Sequence, residues 1–263
     1  MIPRLLLTGA AGGLGKALRP RLKANCKTLR LSDVAPLDAP APHEECVTAD
    51  LSDADAVMKM VQGCDAIVHL GGISVEAPWA HILKANIDGL VNLYEAARIN
   101  KVKRVVFASS NHVMGFYRQD QVVDALSPPR PDGFYGLSKA FGEDLSRLYF
   151  DRYGIETACV RIGSSYPEPK NRRMLATWLS YDDLHRLVVS CLTTPVLGHT
   201  IIYGTSDNAV SWYDNRLAHH VGYRAKDSAD PFRSSVYANT PEPDLTDLAD
   251  VYQGGAFVKT GPL

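Results

Sequence analysis

The chain has 263 residues, 46% of them hydrophobic and 22% charged, with a formal net charge of −1. That length and apolar content suit one large α/β domain, or a nucleotide-binding domain with a small appendage. A balanced charge without a basic block excludes nucleic acid and anionic membrane surfaces as natural partners.

The opening M-I-P-R-L-L-L-T-G-A is read as neither signal peptide nor membrane span, because its apolar run is broken at Thr8 and Gly9. Arg4–Thr8 reads as a buried strand and Gly13–Ala24 as the helix after it. Thr28–Ser32 is a second strand, and Cys46–Thr48 a short third one. A helix opens at Ser52, with Asp53 and Asp55 suited to its positive end. Ala66–Leu70 is a fourth strand, Trp79–Asn100 one long helix, and Arg104–Ser109 a fifth strand. Tyr135–Tyr153 is a helix and Thr157–Ile162 a sixth strand. This alternation predicts a Rossmann-type, doubly wound parallel sheet with helices on both faces.

After Ile162 the rhythm changes. Helices are expected at Asp182–Leu192 and Trp212–Val221, with a short strand at Ile201–Tyr203. Two parts of one compact unit are therefore expected. Residues 1–162 form the dinucleotide domain, and residues 163–263 a small substrate-side region on the sheet's C-terminal edge. Cys26, Cys46, Cys64, Cys159 and Cys191 form no C-x-x-C pair and read as buried reduced thiols, which points to the cytoplasm. The eight histidines lack metal-site spacing, so no metal is expected. Apolar stripes on the long helices leave room for a homo-oligomer.

Three segments carry chemistry. In T-G-A-A-G-G-L-G, Gly9 permits a tight strand-to-helix turn, Gly12 lets the backbone approach a pyrophosphate, and Gly15 lets helix and strand pack closely. Gly13 and Leu14 open the helix, whose N-terminus offers N–H donors to phosphate. Asp33, ending the second strand, can accept from both ribose hydroxyls and would repel a 2′-phosphate, so NAD is preferred over NADP. Asp50-Leu51 and Leu70-Gly71-Gly72 follow the third and fourth strands, on the side where such sheets bind ligands.

Tyr135 and Lys139 are four apart on a helix and share a face. A tyrosine with its ordinary pKa of about 10 is a poor base at neutral pH. A nearby ammonium and the nicotinamide charge are expected to lower that value, so that Tyr135 takes a hydroxyl proton as hydride leaves the same carbon. Lys139 can also reach the nicotinamide ribose. Ser110, ending the fifth strand, can hydrogen-bond the reacting oxygen.

On these motifs the chain resembles the extended short-chain dehydrogenase/reductase superfamily from Thr8 to about Ile162. The segments F-A-S-S-N-H-V-M-G-F-Y, L-G-G-I-S-V-E, R-I-G-S-S-Y-P-E-P-K-N-R-R-M-L, W-Y-D-N and Y-Q-G-G-A-F-V extend the likeness, nearly end to end, to the bacterial uronate dehydrogenases. Met114 departs from the tyrosine that many extended relatives have there. The resemblance implies NAD-dependent oxidation of D-glucuronate or D-galacturonate at C1, giving an aldaric acid lactone. It makes Tyr135 the base, beside Ser110 and Lys139, and adds Ile162 to the cofactor site. It implies that Ser74, Asn111, His112 and Ser164 contact the sugar and that Arg173 clamps the carboxylate. A planar guanidinium suits a carboxylate, but spacing alone does not choose between Arg172 and Arg173. For His112, a neutral donor to a sugar hydroxyl is the expected role.

Two other readings compete. A nucleotide-sugar epimerase or dehydratase shares this fold but must also hold a nucleotide diphosphate, and about 100 residues follow Gly163, small for a separate domain. A non-catalytic NAD-sensing regulator would not need Ser110, Tyr135 and Lys139 together.

Overall fold

Strand β1 (Ile2–Thr8) sends Leu5 and Leu7 into one core and Leu6 into another, the two-residue period of an extended chain buried on both faces. The same alternation recurs in β4 (Ala66–His69), where Ala66 and Val68 face the first core and Ile67 the second. The computed structural model describes residues 1–261. With β2 (Cys26–Asp33), β3 (Glu44–Thr48), β5 (Arg104–Ser110), β6 (Glu156–Ile162) and β7 (His199–Gly204), these strands form one parallel sheet. Its order is β3-β2-β1-β4-β5-β6-β7. The chain reverses direction across the sheet between β1 and β4, which opens a crevice at their C-terminal ends.

Helices cover both faces. In the first core, α1 (Gly13–Arg21) contributes Leu18. On the opposite face, α2 (Ala54–Val61) contributes Val57 and Met60. Asp53 caps α2, accepting from the backbone N–H groups of Asp55 and Ala56. The segment expected as one helix over Trp79–Asn100 divides into α3 (Trp79–Ile82), a π-helical turn at Leu83–Asp88, and α4 (Gly89–Ile99). The extra residue accommodates two contacts: Asn86 turns inward to bond the backbone of Ile73, and Gly89 lies against Leu51. Helix α5 (Phe134–Tyr153) joins α4 on the second face and ends at Gly154, whose φ of +70° favours glycine. The short α6 (Met174–Thr177) precedes α7 (Tyr181–Thr193), which is capped by Ser180 and packs with α1 in the first core.

Five other expectations are corrected. The helix after β1 tightens into a 3₁₀ turn at Leu22–Ala24, beyond Pro20, and the helix expected at Ser52 starts at Ala54. The short strand at Ile201–Tyr203 is the six-residue β7, which pairs along its length with β6. No helix spans Trp212–Val221. Tyr213 bridges Val123, and Asn215 pairs its side-chain amide with both backbone groups of Tyr203, so only a 3₁₀ turn at Arg216–Val221 remains. Cys46 is exposed, while the other four cysteines are buried, and all five are free. Among the described residues no helix is long and apolar enough to cross a membrane.

Candidate active site

A cavity of about 830 Å³ lies along the C-terminal ends of the strands, within the size range of small-molecule sites. At one end it is floored by the turn between β1 and α1. Gly9 sits at φ +67°, and a Cβ on Gly15 would stand 2.2 Å from the Gly9 carbonyl oxygen. Both positions thus require glycine on steric grounds. A Cβ on Gly13 would meet nothing within 4 Å, so the N-terminus of α1 faces open space. That donor end, in a glycine cradle, fits a dinucleotide's phosphates. Leu14 also lines the cavity here.

Asp33 borders the same end. Its carboxylate accepts from the N–H groups of Ala11 and Ala35, at 2.9 and 3.0 Å, and so holds the glycine turn against β2. Thr8 links β1 to β4: its hydroxyl shares a 2.7 Å bond with His69 Nδ1 and accepts from Gly71 N–H. Burial pushes His69 down to about 3, so it is neutral. Asp50, Leu51, Leu70, Gly71, Gly72 and Ile162 also line the cavity.

At the other end stand Ser110, Tyr135 and Lys139, brought together from β5 and α5. Lys139 is buried, and its Nζ donates to the Ala108 carbonyl at 2.8 Å. Burial pushes its pKa down to about 8. Its Nζ lies 5.7 Å from the Tyr135 ring centre. Burial pushes the phenol up to about 12; the Ser110 hydroxyl opposes this, and the Asp132 charge adds to it.

Ser74, Asn111, His112, Ser164 and Arg173 line this end too. Arg173 points in from the segment after β6, its Nε donating to the Gln253 carbonyl at 2.6 Å and Nη1 to Ser164 Oγ at 3.2 Å. Its Nη2 is buried with no partner among the described residues. Burial lowers its pKa from the ordinary arginine value. Arg172 turns away, with its guanidinium bonded to Glu242 at 2.7 and 2.9 Å and lying over Tyr237. Asn111 donates to the Tyr213 hydroxyl at 3.3 Å. His112 Nδ1 lies 2.6 Å from Asp132 Oδ2, and burial keeps the imidazole below its usual pKa against the pull of that carboxylate.

Several residues that support the site were given no role from the sequence, although Glu76 and the last turns lie in the segments L-G-G-I-S-V-E and Y-Q-G-G-A-F-V. Glu76, 58 residues before α5, accepts from the N–H groups of Phe134 and Tyr135, both at 2.9 Å, and so fills the role of an N-cap. Asn86 bonds Ile73 and Ser138, tying the loop of Ser74 to α5. Phe257, Gly254 and Ala256 come from the last turns of the chain to line the cavity.

The model of the NAD dependent epimerase/dehydratase family matches residues 5–185. A uronate dehydrogenase of Pseudomonas putida is 59% identical over 98% of this chain and 97% of its own length. A glucuronic acid dehydrogenase of Chromohalobacter salexigens is 50% identical, with a TM-score of 0.98 over 99% of this chain and 98% of that one. A mutant of the Agrobacterium tumefaciens uronate dehydrogenase, solved in complex with NAD, is 52% identical, with a TM-score of 0.97 over 100% of this chain and 98% of that one. The glycine turn, the crevice and these near full-length likenesses agree: the chain belongs to the NAD-dependent epimerase/dehydratase family and, within it, to the uronate dehydrogenases, which are NAD-dependent oxidoreductases.

Proposed function

We propose that this enzyme oxidises D-glucuronate and D-galacturonate at C1 to the aldaric acid lactone. The observation that carries the reading is Arg173, in the same cavity as Tyr135, whose buried Nη2 has no hydrogen-bond partner among the described residues. A substrate carboxylate would supply the missing acceptor.

In this reading the two ends of the cavity divide the work. The turn from Gly9 to Gly15 and the α1 N-terminus hold the pyrophosphate, with Asp33 on the adenosine ribose. Asp50, Leu51, Leu70, Gly71, Gly72 and Ile162 flank the rest of the cofactor, and Lys139 takes the nicotinamide ribose. NAD, when bound, accepts the hydride from C1. The chain's own residues manage the proton and the orientation. Tyr135 takes the C1 hydroxyl proton, so that the C1–O single bond becomes the lactone carbonyl. Ser110 donates to that oxygen and also favours the phenolate. Arg173 fixes the carboxylate end of the sugar, and Ser74, Asn111, His112 and Ser164 meet its hydroxyls. Residues 1–162 hold the cofactor and share the sugar with the region that begins at residue 163, which brings Ser164 and Arg173. The reading includes a cytoplasmic homo-oligomer; the exposed Leu137, Leu148 and Tyr153 along α5 support the oligomer.

The test follows NADH absorbance with purified protein, NAD, and D-glucuronate, D-galacturonate or D-glucose separately. Reduction with the uronates but not glucose is expected. Arg173→Ala should lower kcat/KM for uronates by about 100-fold or more, with NAD affinity unchanged. Arg172→Ala, whose partner Glu242 is 84% exposed, should stay within about twofold. Equal activity on glucose, or an Arg173→Ala enzyme as fast as its parent, would sink the assignment.

A further inference from the structure

Asp132 lies just before α5, and its side chain is 0% exposed. Three glycines from separate segments close around its carboxylate. A Cβ on Gly115 would stand 2.1 Å from Oδ2, one on Gly254 2.2 Å from the same atom, and one on Gly136 3.1 Å from Oδ1. Three stretches of backbone are thus shaped to admit this one group. Among the described residues no lysine or arginine bonds it: Oδ2 lies 2.6 Å from His112 Nδ1, and Oδ1 has no partner. A carboxylate buried with so little compensation is expensive, and a residue that only filled space here would be apolar.

Three further contacts hold His112. Its ring stacks on Phe257 at 3.9 Å and 27°, and it meets the Tyr135 ring edge-on at 5.8 Å. Its backbone N–H donates to Ser110 Oγ at 3.2 Å. A carboxylate can only accept, so the proton of this pair sits on Nδ1 of the imidazole. In the neutral ring Nε2 is then bare, and it is the nitrogen left for the cavity that His112 lines.

We propose that Asp132 is a positioning residue: cradled by three glycines, it locks His112 in the Nδ1–H form and so makes Nε2 an acceptor for one donating hydroxyl of the sugar. The inference rests on the uronate reading of the site and deepens it. It reverses the expected donor role of His112 and adds a rule of specificity. The hydroxyl opposite Nε2 must carry a proton to give, so a sugar deoxygenated there loses the bond. Serine-protease triads use the same logic, in which an aspartate sets the tautomer of its histidine without touching substrate.

The experiment has two arms. In the first, 15N-histidine NMR of the parent, with His112 assigned by its loss in His112→Gln, reads the tautomer directly and needs no substrate. Protonated Nδ1 with bare Nε2 supports the proposal; protonated Nε2 with bare Nδ1 overturns it. In the second, Asp132→Asn should raise the KM for uronates by about 10- to 100-fold, while the dissociation constant of NAD stays within about twofold. The double variant Asp132→Asn/His112→Ala should be no worse than His112→Ala alone. Losses that multiply in the double variant would assign Asp132 to packing and overturn its role through His112. Should Asp132→Asn fail to fold, the tautomer of the parent decides by itself. A parent that oxidises no hexuronate overturns the functional reading instead, and the tautomer arm still judges Asp132.

Discussion

Lys139 carries a charge into a nearly buried site at the cavity wall, with one carbonyl as its hydrogen-bond partner. Its pKa falls from 10.5 to about 8, a difference that corresponds to about 3 kcal/mol against the folded state. The sign is that of a base with a depressed folded pKa. The penalty is full below about pH 8, fades as pH rises, and is gone above the unfolded value. Lys139→Met should therefore be inactive yet more stable than its parent at pH 7, by about 1–3 kcal/mol. Urea melts of both proteins at pH 7 and pH 10 check this, with the gap shrinking at the higher pH. A variant less stable at pH 7 would show that the bond to Ala108 outweighs desolvation. The phenol of Tyr135 is held up by the same burial, with Ser110 as the opposing influence. Both groups were legible in the sequence from their four-residue spacing. Their electrostatics were not, because burial depends on what the rest of the chain places around them.

The turn from β1 into α1 is the element most nearly written in its own residues. Gly15 and Gly13 are two apart, yet a Cβ meets backbone at 2.2 Å on one and open space on the other. Gly15→Ala should lose both thermal stability and NAD affinity, because the neighbouring atoms are backbone and cannot yield. Gly13→Ala should keep the fold within about 0.5–1 kcal/mol but weaken NAD, because its methyl would intrude where phosphate must approach. Melting curves and NAD titrations separate the two; a Gly15→Ala protein that melts with its parent would refute the packing argument. The helix over Trp79–Asn100 shows the opposite case. Its apolar pattern reads as continuous, but the partners that draw Asn86 inward, Ile73 and Ser138, lie 13 and 52 residues away, and the π-helical turn follows from them.

Across the whole molecule, one buried ion pair joins four elements. Arg161 of β6, 1% exposed, donates to both oxygens of Glu143 on α5 at 2.9 and 2.8 Å, and also to the Tyr203 hydroxyl of β7. Ser109 of β5 donates to Glu143 Oε1 at 2.6 Å. Tyr203 stacks on Tyr213, which bonds Asn111 in the cavity wall. Arg161→Met leaves Glu143 buried and unpaired, and should cost about 3–5 kcal/mol. Replacing both, as Arg161→Met with Glu143→Leu, should restore most of that loss. Urea denaturation of the three proteins tests this; a double variant as unstable as the single one would mean that the pair acts through more than its charge.

The parallel sheet, the glycine turn after β1 and the Tyr135–Lys139 pair are legible in the sequence. Each of these is encoded locally, in a two-residue apolar period, in glycines where a side chain has no room, and in a four-residue helical spacing. What depends on distant partners was set by the fold. It turned Arg173 into the cavity and Arg172 toward Glu242, replaced the helix expected at Trp212 with a bridge to Val123, and set Glu76 beneath the Tyr135 helix. It also joined Asp132 to His112 inside a ring of glycines. Contacts between residues far apart in the chain leave no period or spacing to read, because they exist only once the sheet has brought its strand ends together.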